Sequence, residues 1–117
     1  MNSLSGQFSI QVGKKKYQCH LSMNAFRLMC ERKSISLAEM QQQLAQNPLS
    51  AVPQVLHAGL LTHCFFHNKP IDDLPEFEYF AARVLDTPDD LEKYAEHIRV
   101  AFEGEQKRDE DPEEGNE

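Results

Sequence analysis

The chain has 117 residues, 40% hydrophobic and 26% charged, with a formal net charge of −7. That suffices for one domain with a single modest core, in the composition range of ordinary soluble globular proteins. Cys19, Cys30 and Cys64 stand far apart with no CxxC pair, which argues against a disulfide framework and for reduced thiols in a cytosol. No basic-then-apolar leader opens the chain, and no apolar stretch approaches the ~20 residues of a membrane span; a soluble, cytoplasmic protein is expected.

Residues 1–6 read as a polar, mobile leader. Phe8, Ile10 and Val12 then alternate with polar residues, and after a Gly-Lys turn Tyr17, Cys19 and Leu21 alternate again. Period two predicts a half-buried hairpin. Gly13 takes positive φ at no steric cost, so Gly13-Lys14 suits a two-residue turn, with a four-residue Gly13–Lys16 loop as the alternative. Either register puts Phe8, Ile10, Tyr17 and Cys19 on one face, and a lone hairpin must lie on helices or join a larger sheet in an oligomer.

Everything downstream reads at helical spacing. Ser22 is a predicted N-cap for a helix over 23–33 that turns Phe26, Met29 and Cys30 inward. Ser36-x-x-Glu39 predicts a capping box for a second helix with Leu37, Met40 and Leu44 on one side, ended by Asn47-Pro48. A third helix, over 51–67, is predicted to start behind Ser50 with Pro53 in its first turn. It is apolar nearly all round, which marks a central helix or one covered by a partner. Asp73-x-x-Glu76 is read as the cap of a fourth helix striped by Leu74, Phe77, Phe80, Ala81, Val84 and Leu85. Thr87-Pro88 opens a fifth, with Leu91, Tyr94, Ala95, Ile98 and Phe102 at i, i+3, i+4, i+7 and i+11. Past Gly104 the apolar residues vanish. The expected organisation is one hairpin-plus-helical domain over 1–104 and a disordered acidic tail over 105–117; the fold class is α+β, mainly α.

The charge is unevenly spread. Residues 1–71 carry Glu31 and Glu39 against seven cations, residues 72–102 nine acids against three cations, and residues 103–117 eight acids against two. Such a chain can steer complementary partners, associate head-to-tail, or close its basic half on its acidic half; the internal pairing is preferred, since exposed charge pairs commonly have no measurable role.

His63-x-x-x-His67 shares a helix face and invites a metal reading. The Glu of HExxH is missing, however, and no further ligand lies close in sequence, so two imidazoles suiting a helix C-terminus is the preferred account. Cys30 and Cys64 sit on apolar faces as small hydrophobes, without the context of a nucleophile. Lys14-Lys15-Lys16 reads as a solvated turn, because a nucleic-acid binder shows a broad basic face and this chain has a pI of about 5.2. No GxGxxG, P-loop or GxSxG is present. The residues alone point to an interaction domain, not an enzyme, with no cofactor and no metal.

The order of the pieces resembles the tail assembly chaperones of long-tailed bacteriophages. The likeness rests on Ile10–Val12, Gly13-Lys14 and Tyr17–Leu21, followed by the helix entry Met23-Asn24-Ala25-Phe26. It continues with acidic Glu31, the Ser36-Leu37 entry, the central Ala58-Gly59-Leu60, and Asp89-Asp90-Leu91 running to Ala101-Phe102. It spans residues 7–103, and departs from the family pattern at Lys33-Ser34, where a glycine is usual, and in a less acidic first helix. The resemblance implies a non-enzymatic chaperone in the cytoplasm of a bacterial host, made during infection or from a prophage. Such proteins bind the long helical tape measure protein, keep it soluble, and help tail tube subunits assemble around it. Partners so implied are the tape measure protein and the tail tube protein, with a homo-oligomer possible through the same surfaces and neither nucleic acid nor membrane expected.

Small chains of this kind cannot hide every apolar stripe, and helix-in-groove binding is the expected mechanism. The candidate partner-binding residues are Leu56, Leu60, Phe65 and Phe66 on the central helix, Phe77 and Phe80 beside them, and Met29 and Met40 as an extension, with core filling an equal alternative for the methionines. The alternative function is a small acidic regulatory or inhibitory protein-binding module acting through its C-terminal region.

Overall fold

A computed structural model describes residues 6–86 and 88–110. Among them the order is β1 (Gln7–Val12), β2 (Lys15–His20), α1 (Met23–Lys33), α2 (Leu37–Gln46), α3 (Pro48–His67), a 3₁₀ turn at Ile71–Asp73, α4 (Phe77–Val84) and α5 (Pro88–Glu110). The fold is α+β and mainly helical, as the periodicities predict.

The two strands pair antiparallel with Val12 opposite Lys15, so Gly13-Lys14 is a two-residue turn, and Gly13 has φ +63°. Ile10 lies opposite Tyr17 and Phe8 opposite Cys19 on one face. Ile10, Val12 and Cys19 are sealed there, while Phe8 and Tyr17 are half-buried. The chain before the hairpin is tied at Gly6, whose carbonyl accepts from Leu21 N–H at 2.7 Å; the rest of the expected leader lies outside the described residues.

The hairpin lies on α3, the axis of the fold, which also contacts α1, α2, α4 and α5. Val52, Val55, Leu56, Ala58 and Leu60 are completely buried along it, each valine or leucine side chain contributing about 1.5–3 kcal/mol of transfer free energy. β2 approaches α3 at Gly59, where a Cβ would collide with Cys19 Sγ and stand 3.1 Å from Leu21 Cδ2. The Ala-Gly-Leu of the sequence is therefore a backbone approach: only a hydrogen fits between helix and strand. α3 is also 20 residues long with a mean hydropathy of 1.2, enough by length and composition to cross a membrane. That corrects the expectation that no stretch comes near such a length. Most of its surface is taken by the protein's own elements.

Cap chemistry accounts for several differences from expectation. Ser36 and Glu39 form the predicted reciprocal box, with Glu39 N–H donating to Ser36 Oγ at 3.1 Å and Ser36 N–H to Glu39 Oε1 at 2.8 Å. Ser22 stands in the N-cap position of α1, but its hydroxyl is buried without a partner. α3 starts at Pro48 behind Asn47, not behind Ser50, because Asn47 both ends α2 and accepts the first amides of α3 at its carbonyl. This one-residue corner leaves Pro53 inside the helix, where the Leu49 carbonyl loses its i+4 donor on an exposed side of the chain. Asp73 belongs to the 3₁₀ turn; Glu76 caps α4 by accepting from Tyr79 N–H at 3.3 Å. Thr87, the predicted opener of α5, lies outside the described residues. α5 then runs through Gly104 to Glu110, correcting a tail expected from residue 105. A glycine inside a helix costs only about 1 kcal/mol, too little to stop one supported by the packed turns before it. Residues 111–117 lie outside the described residues.

Candidate protein-binding surface

The eight candidate residues divide sharply. Met40, Leu56, Leu60 and Phe80 are fully buried and Met29 nearly so. Their stripes face the common interior of α1–α5 and the hairpin, which corrects their assignment to an outer surface: they fill the core. Phe77 is half-buried, with its ring edge-on to His57 at 5.5 Å between centroids. Phe65 and Phe66 alone remain open, at 51% and 56% exposure.

The reason lies in where α3 loses its neighbours. From Ala51 to Cys64 its sides are largely covered; the last turn passes the covering elements and projects both phenylalanines into solvent. Asn68 ends the helix in the left-handed region at φ 58°, with Lys69 N–H donating back to Cys64 O at 2.9 Å. Ile71, at the start of the 3₁₀ turn, is exposed as well. The ledge is held from beneath by His20 of β2, whose ring meets Phe66 edge-on at 5.0 Å.

Imidazoles surround this ledge. The His63 and His67 rings lie 4.2 Å apart between centroids, tilted by 32°. Burial, then the neighbouring His67, pushes His20 below the ordinary histidine range, against an opposing pull from Glu105. Burial, then His67, Lys69 and His20 push His63 down as well. Both rings are held toward the neutral form at neutral pH, so the ledge is less charged than its composition suggests. Among the described residues no group of three or more His, Cys, Asp or Glu side chains is arranged to hold a metal ion.

A second apolar opening was missed by reading the sequence. α2 and α5 both rest on α3, and between them runs a groove of about 260 Å³. Leu44, Ala45, Ala95, Ile98 and Phe102 form its apolar lining, with Gln41, Arg99 and Glu103 at the rim. Phe102 is drawn away from α2 by an edge-on contact with Phe26 of α1 at 5.2 Å, and the small Ala45 and Ala95 do not fill the space left. Two alanines on facing stripes were the available signal, but only the placement of two helices turns them into a groove.

The other candidate chemistries find no such setting. Cys19 donates to Leu56 O at 3.7 Å and Cys64 to Pro70 O at 3.9 Å. Burial raises the pKa of all three thiols, the opposite of what an activated nucleophile needs. Lys14, Lys15 and Lys16 are exposed at the hairpin tip, Lys15 lying over the Tyr17 ring at 5.7 Å. Buried His57 donates through Nε2 to Pro75 O at 3.2 Å and packs edge-on against Phe80, fastening the segment before α4 to the middle of α3. Comparison with known proteins finds no family model, no curated protein and no solved structure that matches the chain.

Proposed function

We propose that the chain is a non-enzymatic tail assembly chaperone of a long-tailed phage. It binds the tape measure protein in the host cytoplasm, keeps it soluble, and promotes tail tube assembly around it. The reading is supported by the order and spacing of the hairpin, the x-Asn-Ala helix entry, the Ala-Gly-Leu helix and the closing Asp-Asp-Leu helix. The observation that carries its mechanism is the ledge at the end of α3, where Phe65 and Phe66 are held half in water beside rings kept toward neutrality.

A long helical client offers repeated apolar stripes, and such stripes pair with exposed aromatic anchors by burying area that is costly to leave wet. Two phenylalanines on a rigid helix end lose little further freedom on binding. The same ledge can receive a second copy of the chain before a client arrives.

The test is co-expression with a tape measure protein from the phage or prophage genome that carries this chain. The native protein is expected to keep the client soluble and to co-purify with it, while Phe65→Asp/Phe66→Asp stays folded and loses both effects. A client equally soluble without the chain, or equally captured by the folded double variant, overturns the reading.

A further inference from the structure

We propose that the groove between α2 and α5 is a docking site for an amphipathic helix whose apolar ridge is flanked by lysine or arginine. The inference rests on the reading above only in taking the chain to be a binding protein; it does not depend on which protein supplies the helix.

The groove has the right size and floor. Engineered apolar cavities of about 150 Å³ accept benzene, so a groove of about 260 Å³ takes one or two side chains of Leu or Phe size. Ile98 and Phe102 are buried beneath it, and Ala95 is half-buried in its wall. A second depression continues it along α5 toward the start of that helix, sharing Ala95 and Arg99 and adding Asp89, Glu92, Lys93 and Glu96. A partner helix can thus lie lengthwise, with residues at i, i+3, i+4 and i+7 directed into the floor.

Charge selects the occupant. Along the groove and its continuation α5 presents Asp89, Glu92, Glu96 and Glu103 against Lys93 and Arg99. Arg99 is already engaged by two of these four: it bonds Glu96, and its Nη1 lies 3.0 Å from Glu103. The opposite wall, α2, contains Glu39 and no lysine or arginine. An apolar slot with one acidic wall and no cation on the other favours a cationic helix over an anionic one, setting both choice and encounter rate.

The experiment uses the full chain, isotopically labelled, and two synthetic helical peptides of about 18 residues. Both share one leucine ridge; one is flanked by lysines, the other by glutamates. Titration with the lysine peptide is expected to shift the backbone resonances of Leu44, Ala45, Ala95, Ile98 and Phe102. Its affinity should exceed that of the glutamate peptide by about tenfold at low salt, with the gap shrinking as salt is raised. Ala45→Arg, on the exposed wall, should abolish the shifts without unfolding the chain. Equal affinity for both peptides, shifts confined to the region of Phe65 and Phe66, binding unaffected by Ala45→Arg, or groove shifts that appear on self-association alone would each overturn the inference. Loss of this site with tape measure capture through Phe65 and Phe66 intact would remove it and leave the proposed function standing.

Discussion

The middle and the end of α3 are made of the same kinds of residue and live in different surroundings. From Val52 to Leu60 every side chain but Gln54 is sealed by the hairpin and four helices; five residues on, Phe65 and Phe66 stand half in water. Apolar character alone does not separate a core from a docking surface. The neighbours decide, and at the last turn of α3 the neighbours stop.

That contrast can be broken by truncation. Leu56→Ala or Phe80→Ala should cost about 3–5 kcal/mol, because each removes a fully buried side chain and leaves a cavity. Phe65→Ala should change stability by no more than about 0.5 kcal/mol, as expected of an exposed site. Chemical denaturation of the variants compares them directly; similar losses at both ends would mean that the last turn belongs to the core.

The tight seal in the middle predicts an intolerance absent at the end. Gly59→Ala should destabilise by about 1–3 kcal/mol, since the added methyl must displace Cys19 and part β2 from α3. A neutral melting shift would show that the strand lies further off than described.

Acid should sharpen the comparison. His57, buried in the middle of α3, is held below its ordinary pKa of 6.5 chiefly by burial, and His20 and His63 near the ledge are lowered as well. Below pH 6.5 the unfolded chain therefore binds protons that the folded chain refuses, so stability falls as pH drops through that value. His57→Gln should flatten the fall measured by melting at successive pH values. A pH-independent melting temperature between neutrality and pH 5 would contradict the burial of these rings.

The smallest effect concerns the end of α1. Ser34 occupies the left-handed region at φ 57°, the position where the resembling family usually has glycine. Ser34→Gly should stabilise by about 0.5–1 kcal/mol by relieving that conformation. A loss of stability would mean that Ser34 makes a contact worth more than the strain.

Much of this was legible in the residues. Period two and Gly13 located the hairpin and its turn, and the Ser36–Glu39 box is met atom for atom. Ser22 stands at the N-cap where it was expected, whereas caps at Ser50 and Asp73 misled, because several polar residues near a helix start can serve and the chain's path selects one. The apolar face of each helix was readable, but periodicity does not say what covers it, so Met29, Met40, Leu56, Leu60 and Phe80 were assigned outward. The groove between α2 and α5 depends on two helices being held apart by their separate packing on α3, and no local pattern encodes that.

The most direct measurement is calorimetric binding of the tape measure protein's helical segments to the native chain and to Phe65→Ser/Phe66→Ser. Apolar docking at the end of α3 predicts binding by the native chain with a negative heat-capacity change. The double variant should bind at least about tenfold more weakly while melting at the same temperature. Equal affinities for two equally stable proteins would contradict it.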